Sequence, residues 1–179
     1  EARDDEVSAM VAAVEAVLNG VTTVVEAGTV ADGHAVARGL QTVGLRATIG
    51  VWGWDIDAGP YAAPAPEVLD RQRALVEAYP SGGLVEGWVT LVGHDLASDA
   101  LLAGAAELAR ELGTGMTMHL SPTSSDPERY LEPGADHPVV RWRSCSPSWR
   151  SVTNSAAHAR KWTRRSNASA FSVIRCPKR

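Results

Sequence analysis

Four short apolar runs in this chain each end on side chains that could do chemistry. Glu26 lies at the end of Val21 to Ala27, and Trp52, Trp54 and Asp55 end the run that starts at Leu45. His94 and Asp95 follow Val85 to Val92, and His119 comes at the end of Gly115 to Leu120. A neutral imidazole can ligate a metal or move a proton near neutral pH, and indole rings can wall a pocket for a flat ring. Taken one at a time, each also has a plain reading. His119 could be a hydrogen-bonded histidine at a sheet edge, and His94 a loop histidine near a helix start. Trp52 and Trp54, placed on one face by strand alternation, could simply pack. Glu26 could be a strand-end polar group without a special role, and His34, after Gly33, reads as solvent-facing.

The elements that must position these residues alternate. Val7, Met10, Val11, Val14, Val17 and Leu18 fall on one face of a first helix, with Asp4 or Asp5 near its start and Gly20 past its end. Val36, Leu40 and Val43 mark a second helix from about Asp32, closed by Gly44. A loop rich in Gly, Pro and Ala (58–66) leads to a third, with Val68, Leu69, Leu75, Val76 and Tyr79 inward. Ser98 is the N-cap of a fourth, which carries Leu101, Leu102, Ala105, Leu108 and Leu112 and stops at Gly113. The intervening β-branched runs, above all Val21 to Ala27, read as strands buried on both faces. One more helical turn fits 128–131.

Helices alternating with short buried strands call for parallel pairing. An open doubly wound sheet and part of a (β/α)₈ barrel both fit. No Gly-x-Gly-x-x-Gly or Walker-type loop follows any strand, so the nucleotide-binding signature is missing. Polar and aromatic groups gathered at the strands' C-terminal ends favour the barrel, whose chemistry sits on that face. The expectation is α/β: a partial (β/α)₈ barrel of about four parallel strands with crossover helices over 1–140, plus an irregular basic tail over 141–179.

That tail has a different alphabet. It contains no Leu, Asp or Glu, yet holds ten of the seventeen Lys and Arg. Residues 1–140 carry seven basic and all twenty-one acidic groups. Three readings compete: a nucleic-acid arm, with Trp142, Trp149, Trp162 and Phe171 as stacking groups; a disordered tail; and a shifted reading frame in GC-rich DNA. The last is favoured. Permitted codons for 141–151, read from the third base, give Val-Ala-Glu-Leu-Phe-Ala-Glu-Leu-Glu-Glu, an amphipathic helix. Cys145 and Cys176 both lie in the tail, so they say nothing about redox compartment. His137 and His158 lie at or beyond the break and carry no functional weight.

The ordered series of segments resembles the amidohydrolase superfamily, in the branch of cytosine and guanine deaminases and triazine hydrolases. Asn19-Gly-Val-Thr-Thr-Val-Val-Glu-Ala-Gly28 is similar to its second-strand segment, and Gly44-Leu-Arg-Ala47 to its third-strand entry. Glu107 to Gly113, followed by Met116-Thr-Met-His-Leu-Ser-Pro-Thr123, is similar to its helix and strand ending in a metal-binding His. The resemblance implies one or two divalent metals, Zn or Fe, at a barrel mouth, where bound water is activated for attack on a C–N bond or a halogen-bearing ring carbon. It implies that His119 is a metal ligand and that His94 contacts substrate; Trp52 and Trp54 stand beside them as substrate-binding candidates from their own chemistry, with plain packing as the other reading.

Departures from the pattern shape the expected function. The family's first-strand His-x-His occurs nowhere in the sequence, and its place would precede Glu1. The chain opens without Met on a helix pattern, which suggests that an upstream part is missing. Pro122 stands where the branch has its acid/base Glu, so no catalytic residue is assigned. One imidazole cannot replace the three or four ligands a zinc site needs. The expectation is therefore an incomplete, inactive fragment of a hydrolase acting on a cyclic amide, amidine or amino-heterocycle, with its metal not retained. A non-catalytic binding protein with a nucleic-acid-contacting tail is the alternative. The expected partner is a small-molecule substrate, with no membrane and no nucleic acid, and with self-association through open sheet edges. Without a leader pattern or an apolar run of membrane-spanning length, a cytoplasmic protein is expected.

Overall fold

The computed structural model describes residues 2–28, 32–56, 58–93 and 95–119, together with the backbone of a strand at 171–175. Helices α1 (Ala2–Leu18), α2 (Gly33–Val43), α3 (Ala65–Ala78) and α4 (Asp99–Glu111) alternate with strands. These are β1 (Thr23–Val25), β2 (Arg46–Ile49), β3 (Val85–Gly87), β4 (Val89–Gly93) and β5 (Gly115–His119), with β6 (Phe171–Arg175) last. No helix among the described residues is long and apolar enough to cross a membrane.

Local chemistry sets the helix ends where the sequence marks them. Asp32 caps α2 by accepting hydrogen bonds from the N–H groups of His34 and Ala35 at 2.9 and 3.0 Å. Ser98 caps α4 through Leu101 N–H at 3.1 Å. Gly44 adopts φ 82°, and its N–H and that of Leu45 return to Gln41 O and Leu40 O. That paired closure needs a left-handed residue, which glycine supplies without a Cβ clash. The same bonding ends α1 at Gly20 and α4 at Gly113.

The pairs β1–β2, β2–β3 and β4–β5 are parallel. One expected strand, Val85 to Val92, is instead two, because the chain changes partners at Trp88. β3 pairs with β2 and β4 with β5, while Trp88 N–H still reaches Ile49 O at 2.8 Å. Beyond that point Gln72 of α3, fully buried, fills the gap. Its amide nitrogen donates to Val51 O and Thr90 O, both at 2.6 Å, and its oxygen accepts from Thr90 N–H at 2.9 Å. The described strands form an α/β arrangement consistent with part of a barrel, and among them no barrel closes.

Alternation divides the sheet into two faces. Val89, Leu91, Met116 and Met118 pack with Val68, Leu101, Leu102 and Leu108 of α3 and α4. Ala47 and Ile49 pack with Val36, Leu40 and Leu75 of α2 and α3. Thr48, Thr90, Thr117 and His119 therefore occupy the face turned away from the helices. On that face a Cβ added at Gly115 would collide with the Trp88 ring, 2.5 Å away, so the strand needs glycine there.

Three expectations are corrected. The Val-rich stripe of α1 is not its buried face: Ala13 is the buried residue, and Val7, Val11, Val14, Val17 and Leu18 are exposed. Packing on α2 is so close that a Cβ at Gly39 would sit 2.6 Å from Glu6 O, and only the alanine side of α1 fits. β1 is not buried on both faces, since Val25 is 40% exposed. The tail was expected to stay irregular, yet β6 pairs antiparallel along the whole of β5, from Gly115↔Arg175 to His119↔Phe171. Phe171-Ser-Val-Ile-Arg175 has the β-branched, aromatic composition that suits pairing with a free strand edge. The rest of the tail and the turn at 128–131 lie outside the described residues.

Candidate functional site

The ends of β1, β2, β4 and β5 each carry or lead into a residue that the sequence singles out. At the end of β1, Glu26 donates its N–H to Thr48 O at 2.8 Å, and its carboxylate accepts the N–H of Gly28 at 2.8 Å. Its side chain is thereby turned onto its own turn.

Beyond β2, Trp52, Trp54 and Tyr61 form a triad of mutually edge-on rings, with centroids 5.7 to 6.0 Å apart. Trp54 is buried and Trp52 partly so. Trp52 Nε1 is shielded from solvent and has no hydrogen-bond partner among the described residues. A buried, unpaired N–H costs about 1–3 kcal/mol, so it marks a place where an acceptor would bind well. Tyr61 escapes sequence reasoning because it sits in a Gly/Pro loop at no telling spacing.

Asp55 has a structural task. Its carboxylate accepts the N–H of Ser98 at 2.7 Å and the Ser98 hydroxyl at 2.5 Å. The loop after β2 is thus tied to the residue that caps α4.

At the end of β4 the register slips. Leu91 pairs with Met118 and Gly93 with His119, so Val92 is an extra residue. Such a bulge re-aims the local backbone, and here the Val92 carbonyl oxygen lies 2.7 Å from His119 Nδ1. A carbonyl only accepts, so Nδ1 carries the proton and Nε2 is the unprotonated nitrogen of the neutral ring. A backbone carbonyl holding one imidazole nitrogen in this way is how ligating histidines are commonly oriented. Asp95 folds back toward the same place: a Cβ at Gly93 would come within 2.6 Å of its Oδ1. His94 and Pro122 lie outside the described residues.

Among the described residues, no three His, Cys, Asp or Glu side chains gather as a metal site. The one imidazole there falls short of the three or four ligands that a zinc site needs.

No protein-family model matches the chain, and no curated protein matches it by sequence. Solved structures do match by fold. Guanine deaminase of E. coli superposes with a TM-score of 0.63 at 19% identity, over 80% of this chain and 36% of that one. The likeness is one of fold. An adenosine deaminase from Xanthomonas campestris with bound zinc gives 0.64 at 19% identity, over 76% of this chain and 30% of its own. A mutant atrazine chlorohydrolase from Arthrobacter aurescens, in complex with zinc and atraton, gives 0.66 at 16%, over 81% and 36%. The chain thus spans about a third of the length of these structures.

Proposed function

We propose that this chain is a segment of a metal-dependent hydrolase that acts on the C–N bond of a cyclic amide, amidine or amino-heterocycle. His119 supplies one metal ligand, through Nε2. The observation that carries this reading is the Val92 bulge, whose carbonyl holds Nδ1 of His119 at 2.7 Å and leaves Nε2 as the basic nitrogen. The guanine and adenosine deaminases with a similar fold support the class of reaction.

Substrate recognition falls to the end of β2 and to His94 after β4. Trp52 and Trp54 give a flat apolar wall, and the unpaired Trp52 N–H suits a ring nitrogen or carbonyl oxygen of a heterocycle. The described residues offer a single ligand, and Pro122 stands in the acid/base slot, so in this reading the chain alone is inactive.

Incubating the purified chain with zinc and guanine or an amino-triazine, followed by ammonia release, tests this. No release is expected, together with quenching of tryptophan fluorescence by the heterocycle that is lost in Trp52→Phe. Turnover by the chain alone would overturn the inactive-segment reading, and quenching unaffected by Trp52→Phe would remove the pocket.

A further inference from the structure

Gly115-Met-Thr-Met-His119 holds no Lys, Arg, Asp, Glu or Pro, and its first four residues are buried. β4 covers one side of this strand, so its other side would be a bare row of N–H and C=O groups. Proteins blunt such edges with charges, prolines or short strands. β1, at the end of the other sheet, is three residues long. β5 has five residues and none of these devices.

β6 lies along that edge and pairs with all five residues of β5. It does not continue the barrel pattern, in which every strand runs parallel to its neighbour, because β6 runs antiparallel. Its sequence carries the protection that β5 lacks: Arg175 ends the strand, and Pro177, Lys178 and Arg179 follow. Charge favours the same docking. Residues 1–140 carry seven basic and twenty-one acidic groups, whereas 141–179 carry ten basic and none acidic.

We infer that β6 is an edge guard: a strand from the chain's own tail that closes the β5 edge against strand addition by other molecules. The occupant is the tail of the same molecule, for which the fifty-one residues between His119 and Phe171 give ample length to return. The sequence expects self-association through open edges, and at this edge β6 opposes it. Since the last pair is His119↔Phe171, the guard also holds the backbone of the residue whose ring Val92 O orients. The inference rests on pairing alone and stands whether or not His119 ligates a metal.

Hydrogen exchange and sedimentation of the full chain, compared with Ser172→Pro/Val173→Pro, test it. Neighbouring N–H groups of a strand point to opposite sides, so one of the two prolines must remove a bond to β5. The β5 amides that face β6 are expected to exchange about tenfold faster in the variant. Those facing β4, and those of α3 and α4, keep their protection, which shows that the fold stands. The variant should also associate at concentrations where the wild type does not. A second variant, Arg175→Glu/Lys178→Glu/Arg179→Glu, leaves the strand able to pair and should loosen the same amides by a smaller factor, at low salt only. Wild-type protection that is equal at every concentration marks the guard as the same molecule's tail. Equal exchange in all three proteins, protection that grows with concentration, or a proline variant no more associated than the wild type would each overturn the inference.

Discussion

The side-chain amide of Gln72 satisfies both backbone groups of Thr90, accepting from its N–H at 2.9 Å and donating to its carbonyl at 2.6 Å. With its third bond, to Val51 O, one buried side chain joins two strands at the point where their own ladder stops. Replacing Gln72 with Leu keeps the volume but orphans three buried backbone groups. We expect a loss of about 3–5 kcal/mol in urea unfolding. Gln72→Glu should be destabilising too, because a carboxylate cannot donate to the two carbonyls.

Thr90 also fills the space that a side chain at residue 50 would need. A Cβ at Gly50 would collide with the Thr90 side chain, and one at Gly28 would lie 2.9 Å from Thr90 Cγ2. Gly50→Ala should therefore cost about 1–3 kcal/mol through overpacking. A double-mutant cycle with Thr90→Gly should show coupling between the two sites, where independent sites would simply add.

Asp55 and Ser98 make a two-part cap for α4. Ser98→Ala removes the side-chain acceptor of Leu101 N–H and the hydroxyl held by Asp55, and is expected to cost about 1–2 kcal/mol. Asp55→Asn leaves the helix cap in place and should cost less. It should instead raise amide exchange at Ser98, whose N–H now bonds to the carboxylate.

The ion pair between α3 and α4 gives a pH signature. Both oxygens of Glu111 accept from Arg73, at 2.8 and 2.7 Å, and this hydrogen bonding holds the Glu111 carboxyl below its usual range. A carboxylate whose folded pKa is depressed adds stability above its unfolded pKa and loses it as pH falls through the folded value. The group is exposed, so the contribution is small and screened by salt. Glu111→Gln should flatten the acid limb of a melting-temperature profile slightly, and high salt should erase the difference.

Much of this fold is legible in the residues. Asp32 and Ser98 announce helix starts, and Gly20, Gly44 and Gly113 announce ends, because capping is local chemistry. The aliphatic stripe of α1 misleads for a physical reason: periodicity shows which residues share a face, not whether anything covers it. The split at Trp88 is invisible because it depends on Gln72, a polar residue on a helix whose burial only the tertiary structure sets. At the site, the position of His119 at a strand end is readable, whereas its hold on Val92 O arises from a one-residue bulge. The Trp52 and Trp54 pair is readable; that Tyr61 joins them depends on how the Gly/Pro loop closes.

The proposed role of His119 as a ligand through Nε2 is tested most directly by long-range ¹⁵N–¹H correlation of the imidazole rings during zinc titration. We expect His119 to be protonated at Nδ1 in the metal-free chain. Among the five histidines its Nε2 should respond first to excess zinc, with weak affinity, and His119→Ala should abolish that earliest response. A proton on Nε2 of the neutral ring, or zinc perturbing other histidines while His119 stays unchanged, would contradict it.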